Sequence, residues 1–231
     1  MEDKNFAERL NILRAGVLGA NDGIISIAGV VIGVASATSN NLFFFDRILI
    51  SALSAIFAGV FSMAGGEYVS VSTQKDTEEE AVAKEQALLD RSPESARESL
   101  YQTFLSQGDC ETEAEVKVNQ AFSKNPIKVL VEEKYGVDME EITNPWHAAV
   151  SSFLSFSVGS LPPTLAILLF PDPYRIPITA VVVALTLILT GYVSAKLGKA
   201  PVKQAMLRNL AVGLLTMLVT YVVGQVFHVN V

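Results

Sequence analysis

A single cysteine, Cys110, in 231 residues excludes an intrachain disulfide and gives no sign of an oxidising compartment. Only two histidines occur, His147 and His228, and neither stands with a cysteine at a metal-binding spacing. No Gly-rich phosphate loop and no nucleophile–base arrangement is present, so an enzyme is not expected. Charge is scarce as well, at 18% of residues, too little to clothe an ordinary soluble domain. The N-terminal MEDKNFAERLN is charged, and no short apolar stretch ends in a cleavage-like site. A removable signal peptide is therefore not expected.

Long apolar runs, by contrast, are abundant. Half of the residues are hydrophobic and the mean hydropathy is +0.38. Apolar runs fall at 13–38, 48–71, 146–170, 176–197 and 206–229. Each has about 20 residues or more, enough at about 1.5 Å per residue to cross a hydrocarbon core about 30 Å thick. β-Branched residues crowd VVVALTLILT (181–190), but in lipid the backbone must satisfy its own hydrogen bonds, so these runs are read as helices. The expected fold is an all-α membrane protein with five transmembrane helices.

The charge is also segregated. Segment 75–141 holds 17 acids and 8 bases, a net of −9, which leaves the rest of the chain at +2. Such an acidic segment does not suggest nucleic-acid binding. With the N-terminus in the cytoplasm, Lys4, Arg9, Arg14, Lys196, Lys199, Lys203 and Arg208 lie inside, and only Arg47 and Arg175 lie near outer ends. That bias sets the orientation. Loops 39–46 and 171–177 and the tail HVNV then face outward. The chain divides into 1–72 with spans one and two, a cytoplasmic acidic helical domain at 73–145, and 146–231 with spans three to five. Inside that domain, QKDTEEEAVAKEQALLD continues the second span as helix. A Ser92 cap with Pro93 starts the next helix and Gly108 stops it; further helices are expected at 111–122 and 126–135, the last ended by Gly136. Leu88, Leu100, Phe104, Leu105, Phe122, Val129 and Leu130 supply its small core.

Two acids, Asp22 in GANDGIIS and Glu67 in GGEYVSVS, fall inside the spans. A charge at mid-bilayer costs about 3 kcal/mol on insertion scales and tends to face a cavity or partner. The bland alternative is a helix-end or structural acid, stronger for Glu67, which lies nearer the cytoplasmic end. Met63 precedes Glu67 by four residues and so shares its helix face. A lone methionine is usually packing, but thioether beside carboxylate suits a borderline transition ion better than Mg²⁺ or Ca²⁺. Small residues recur at Ser54, Ala58, Ser62, Gly66 and Ser70, and at Ala15, Gly19, Gly23, Gly29 and Gly33. Close helix packing is their main expected role, with room for an ion beside Asp22 and Glu67 as a second. The run Glu78–Glu79–Glu80, then Glu85, Glu94 and Glu98, can collect cations or simply form a solvated face. His147, beside Trp146, reads as interfacial rather than as a ligand.

GANDGIISIAGVVIGVASA, AGVFSMAGGEYVSVSTQKDTEEE and NPWHAAVSSFLSFSVGSLPP together resemble the vacuolar iron transporter (VIT) family, as a bacterial-type member. The resemblance covers most of the chain. It implies a homodimer in the lipid bilayer that moves cytosolic Fe²⁺, often Mn²⁺ too, out of the cytosol in exchange for protons. It places the ion path at the dimer interface, lined by the first-span aspartate and second-span methionine, here Asp22 and Met63, with Glu67 in the adjoining GE motif. No permanently bound cofactor is implied, and Co²⁺ or Zn²⁺ suit the same ligands. Departures are visible: further acids of some relatives align with Asn11 and Ala15. The family's cytoplasmic glutamates match at Glu85 but fall on Leu88, Ala96 and Ser99, and its late methionine and glutamate on Leu130 and Lys134. Glu94, Glu98, Glu132 and Glu133 are nearby substitutes. The alternative function is a membrane-anchored metal sensor or interaction protein whose acidic domain binds a partner. A bacterial plasma membrane is favoured by the compact chain, and a vacuolar-type membrane if the host is eukaryotic.

Overall fold

The computed structural model describes residues 6–38, 44–139 and 144–227, with the side chains of α1 from residue 11 onward. Expectations that rest on Lys4, on loop residues 39–43 and on His228 with the tail fall outside them. Among the described residues there are eight helices and no strand: α1 (Phe6–Ala37), α2 (Phe44–Arg91), α3 (Pro93–Gln107), α4 (Glu111–Lys124), α5 (Pro126–Tyr135), α6 (Pro145–Leu169), α7 (Arg175–Leu197) and α8 (Val202–Val226). Five of these, α1, α2, α6, α7 and α8, are long and apolar enough to cross a membrane. Each expected span falls on one of these helices, and α2 runs on beyond the second as far as Arg91.

Two compact units form. One contains Val69–Pro145; the other contains Leu10–Tyr68 and Trp146–Val231. The second unit exposes many large apolar side chains, among them Phe57, Phe61, Leu154, Val158, Leu185 and Leu215. Its interior holds Gly159, Ser152, Ser160, Thr164 and Thr179. Lipid is as apolar as leucine, so burying leucine gains little there. Small residues that let backbones approach are what hold helices together. Three of these hydroxyls are satisfied locally: Ser160 donates to the Ser157 carbonyl and Thr164 to that of Ser160, each at 2.7 Å, and Thr179 to that of Arg175 at 2.8 Å, while the Ser152 hydroxyl is buried without a partner among the described residues.

Helix α1 is central to this unit. One side, through Ile27, Val31 and Ala35, packs with Ile48, Ala52 and Val60 of α2 and Phe156 and Ile167 of α6. Its other side, through Ile24, Ala28 and Ile32, packs with Val183 and Leu187 of α7 and Met217 of α8. The α1–α6 crossing is reciprocal. A Cβ at Gly23 would lie 2.4 Å from the Phe156 carbonyl oxygen, and one at Gly159 would lie 2.4 Å from that of Ala20. Both obstacles are backbone and cannot rotate away. Gly23→Ala and Gly159→Ala are each expected to destabilise the unit by about 1–3 kcal/mol, read as a lower melting temperature in detergent. An unchanged melt would show that the crossing is looser than drawn.

The other unit is an ordinary water-type core. Ala96, Leu100, Phe104, Ala114, Val118, Ala121 and Leu130 are buried together, with Leu88, Leu105, Phe122 and Val129 packed around them. Its boundaries follow local chemistry. The Ser92 hydroxyl accepts from Ser95 N at 3.3 Å and Pro93 opens α3; Asn125 caps α5 by accepting from Lys128 N at 3.4 Å. Gly108 (φ 103°) and Gly136 (φ 67°) end α3 and α5 in the left-handed region, where a side chain is strained.

Candidate functional site

Asp22 is half-buried on α1 and accepts a hydrogen bond from Ser26, one turn on, at 2.5 Å. Asp22, Ser26, Gly29 and Gly33 are spaced four, three and four residues apart and so share one helix face. From Ser26 onward that face borders an open groove of about 600 Å³ against Thr216, Thr220 and Gly224 of α8. Among the described residues no basic side chain pairs with Asp22. Its neighbour Asn21, about 100° around the helix, does different work. The Asn21 Oδ1 accepts from Thr190 Oγ1 of α7 at 3.0 Å and from Asn209 Nδ2 of α8 at 3.2 Å. This polar node ties α1 to two other spans beside Asp22, and so fixes how α1 is rotated. An amide in a membrane span needs partners as a carboxylate does; Asn21 was legible in GANDG on that ground, but its partners were not.

Glu67 lies at the other end of a long reach. Its carboxylate is 8% exposed, and Arg14 Nη2 of α1 donates to its Oε2 at 3.4 Å. In the sequence Arg14 reads as a topology charge, yet it stands inside the first apolar run, where a cation needs a partner. Met63, one turn before Glu67, is partly buried and packs against the α1–α2–α6 core. Among the described residues no group of three or more His, Cys, Asp or Glu is placed to hold a metal ion. In one chain, then, Asp22 and Glu67 answer to separate partners.

The glycines divide by role. Gly19 and Gly23 press on the α6 backbone at Ser152 and Phe156, so they serve packing. A Cβ at Gly65 or Gly66 would meet nothing within 4 Å, so these two glycines are not held by packing within the chain. The α2 stripe of Ser54, Ala58, Ser62, Gly66 and Ser70 is exposed along its length.

In the helical unit, the four candidate acids have different surroundings. Glu78 accepts from Gln74 at 2.8 Å on the surface of α2. Glu94 and Glu98 share a cleft of about 320 Å³ with Arg97, Tyr101 and Glu115. Burial, followed by Glu111, Glu115 and Glu98, pushes the Tyr101 phenol above its ordinary range, a mark of the negative field there. Glu85 is 1% exposed, and its Oε1 accepts from Lys134 Nζ at 2.6 Å and from the Tyr135 hydroxyl at 2.9 Å. A lysine thus pairs with Glu85 inside the unit. His147 directly follows Trp146, whose ring lies 4.8 Å from that of Tyr68.

The model of the VIT family matches residues 13–225. The chain is similar to "Vacuolar iron transporter homolog 3" of Arabidopsis thaliana, at 32% identity over 94% of this chain and 84% of that protein. It is also similar to "Vacuolar iron transporter" of Acanthamoeba castellanii, at 34% identity over 92% of this chain and 77% of that protein. "VIT-like transporter 1b" of Glycine max is 28% identical over 94% of this chain and 76% of its own length.

Proposed function

The chain belongs to the VIT family, a family of membrane transporters and not of enzymes, and on that premise we propose that it exports Fe²⁺ or Mn²⁺ from the cytosol in exchange for protons. The observation that carries the reading is Asp22, a half-buried carboxylate in a candidate span with a hydroxyl but, among the described residues, no base for a partner. A structural acid in lipid is normally neutralised by a basic neighbour; one left with a hydroxyl can take a cation or a proton. Binding one expels the other, which couples the two fluxes.

The working unit is proposed to be a homodimer. One chain offers too few ligands in one place, whereas a two-fold axis beside α1 and the exposed α2 stripe would supply two copies each of Asp22, Met63 and Glu67. Carboxylate with thioether ligation favours a borderline ion. The acidic helical unit is assigned to the cytoplasm with the N-terminus, following the positive charges on the same side. Glu94 and Glu98, which share a cleft, are its better candidates for weak metal collection; Glu78 stands apart and Glu85 is engaged by Lys134.

The test uses purified protein in liposomes with an imposed pH gradient. Fe²⁺, Mn²⁺, Zn²⁺ and Mg²⁺ are added in turn while metal entry and lumenal pH are followed together. Transition-metal uptake with proton counterflow, and none for Mg²⁺, is the expected result. No flux for any ion from folded protein would transfer the assignment to a membrane-anchored metal sensor.

A further inference from the structure

Among the described residues, two acid–base pairs join positions of long sequence separation, and they are built differently. Lys134 and Glu85 meet at 2.6 Å with the lysine side chain 20% and the glutamate 1% exposed. Arg14 and Glu67 meet at 3.4 Å through one nitrogen and one oxygen, with the arginine 53% and the glutamate 10% exposed. The first is a closed pair. The second is a long, single contact between a buried carboxylate and a cation whose side chain stays half-exposed. Arg14 stands three residues into the first candidate span, from which a long side chain can reach the interface, so this contact is the easier of the two to break.

Arginine keeps its charge at every working pH, so Glu67 always faces a resident +1 cation. At similar distance a divalent ion is attracted twice as strongly as a monovalent one. A sodium or potassium ion therefore gains no Coulombic advantage over the resident guanidinium, whereas a divalent ion does. The α2 surface at Gly65 and Gly66, just before Glu67, is free of neighbours within this chain.

We propose that Arg14 is a tethered competitor for the transported cation. Its guanidinium holds the Glu67 carboxylate while the entry is empty, a divalent ion displaces it, and it reclaims the carboxylate as the ion moves on toward Met63 and Asp22. Arg14 is in this sense a specificity-determining residue, excluding monovalent ions and assisting release. The inference rests on the metal-transport reading above.

The experiment measures Mn²⁺ binding by calorimetry, and Mn²⁺ flux in liposomes, for the full chain. Arg14→Gln and Arg14→Met both remove the charge, so the result does not depend on one variant folding. Each is expected to bind Mn²⁺ about threefold to tenfold more tightly, with a lower KM and no higher maximal flux. Arg14→Lys, which restores a charge, is expected to reverse most of that gain. In a Glu67→Gln background the substitution of Arg14 is expected to change nothing further. A merely structural pair would give the opposite sign, since its loss would loosen the site. Unchanged or weaker binding in both neutral variants, while Asp22-dependent flux persists, would falsify the competitor role and leave the transport reading standing. No Mn²⁺ binding by the unaltered protein would overturn both.

Discussion

Asp22→Asn is expected to abolish metal-driven proton movement while leaving the helices folded. Asparagine matches aspartate in shape and keeps an Oδ1 that accepts the Ser26 hydrogen bond, so the local geometry on α1 survives. What disappears is the negative charge and the ability to exchange a cation for a proton. Substitutions in groups that only support a metal ligand already cost about 10–100-fold in affinity, so loss of the carboxylate itself should exceed that. Stability should move the other way. A charge within a span costs about 3 kcal/mol on insertion scales, and the neutral amide removes part of it, so the melting temperature should hold or rise. Flux in liposomes and melting in detergent are measured on the same preparation. Retained coupled transport would remove Asp22 from the mechanism, and lost flux with a fallen melting temperature would mark it as a structural acid.

The elements of this fold were legible because each is set by local chemistry. Apolar length gave the five spans, and Ser92, Pro93, Gly108 and Gly136 gave the ends of α3 and α5 as they stand. The unbroken passage of α2 to Arg91 followed from the lack of glycine and proline after Ser70. Partners were not legible. Asn21 meets Thr190 and Asn209 across 169 and 188 residues, and Arg14 meets Glu67 across 53. Which helix faces meet is a tertiary property that no single-chain periodicity carries. Glycine spacing announced close approach on α1, yet only the crossing reveals that Gly23 meets Phe156. Glu85 left a usable trace. It falls four residues after Ala81 and three before Leu88, on the inward stripe of α2, where an acid requires an internal partner.

That internal partner sets the last expectation: Lys134→Met should unfold the helical unit selectively. Glu85 already has one oxygen, Oε2, buried without a hydrogen bond, so Lys134 and the Tyr135 hydroxyl are what stabilise its charge. Removing the ammonium strands a carboxylate that is 1% exposed, and breaking a buried pair in this way costs about 3–5 kcal/mol. Faster hydrogen exchange across α3, α4 and α5 of the intact chain is the readout, with the exchange of α7 and α8 as internal reference. The paired substitution Glu85→Leu with Lys134→Met should recover most of the loss, because a buried ion pair and an apolar pair of similar volume are often close in stability. Metal adds a second discrimination. If Lys134 stands where a cation would otherwise bind, Mn²⁺ should slow exchange in Lys134→Met and have no such effect on the unaltered unit. Equal Mn²⁺ protection in both would return Glu85 to the metal-collecting set. Protection in neither would leave Glu85 a purely structural acid, whose charge is retained only because a lysine, 49 residues on, is always there to meet it.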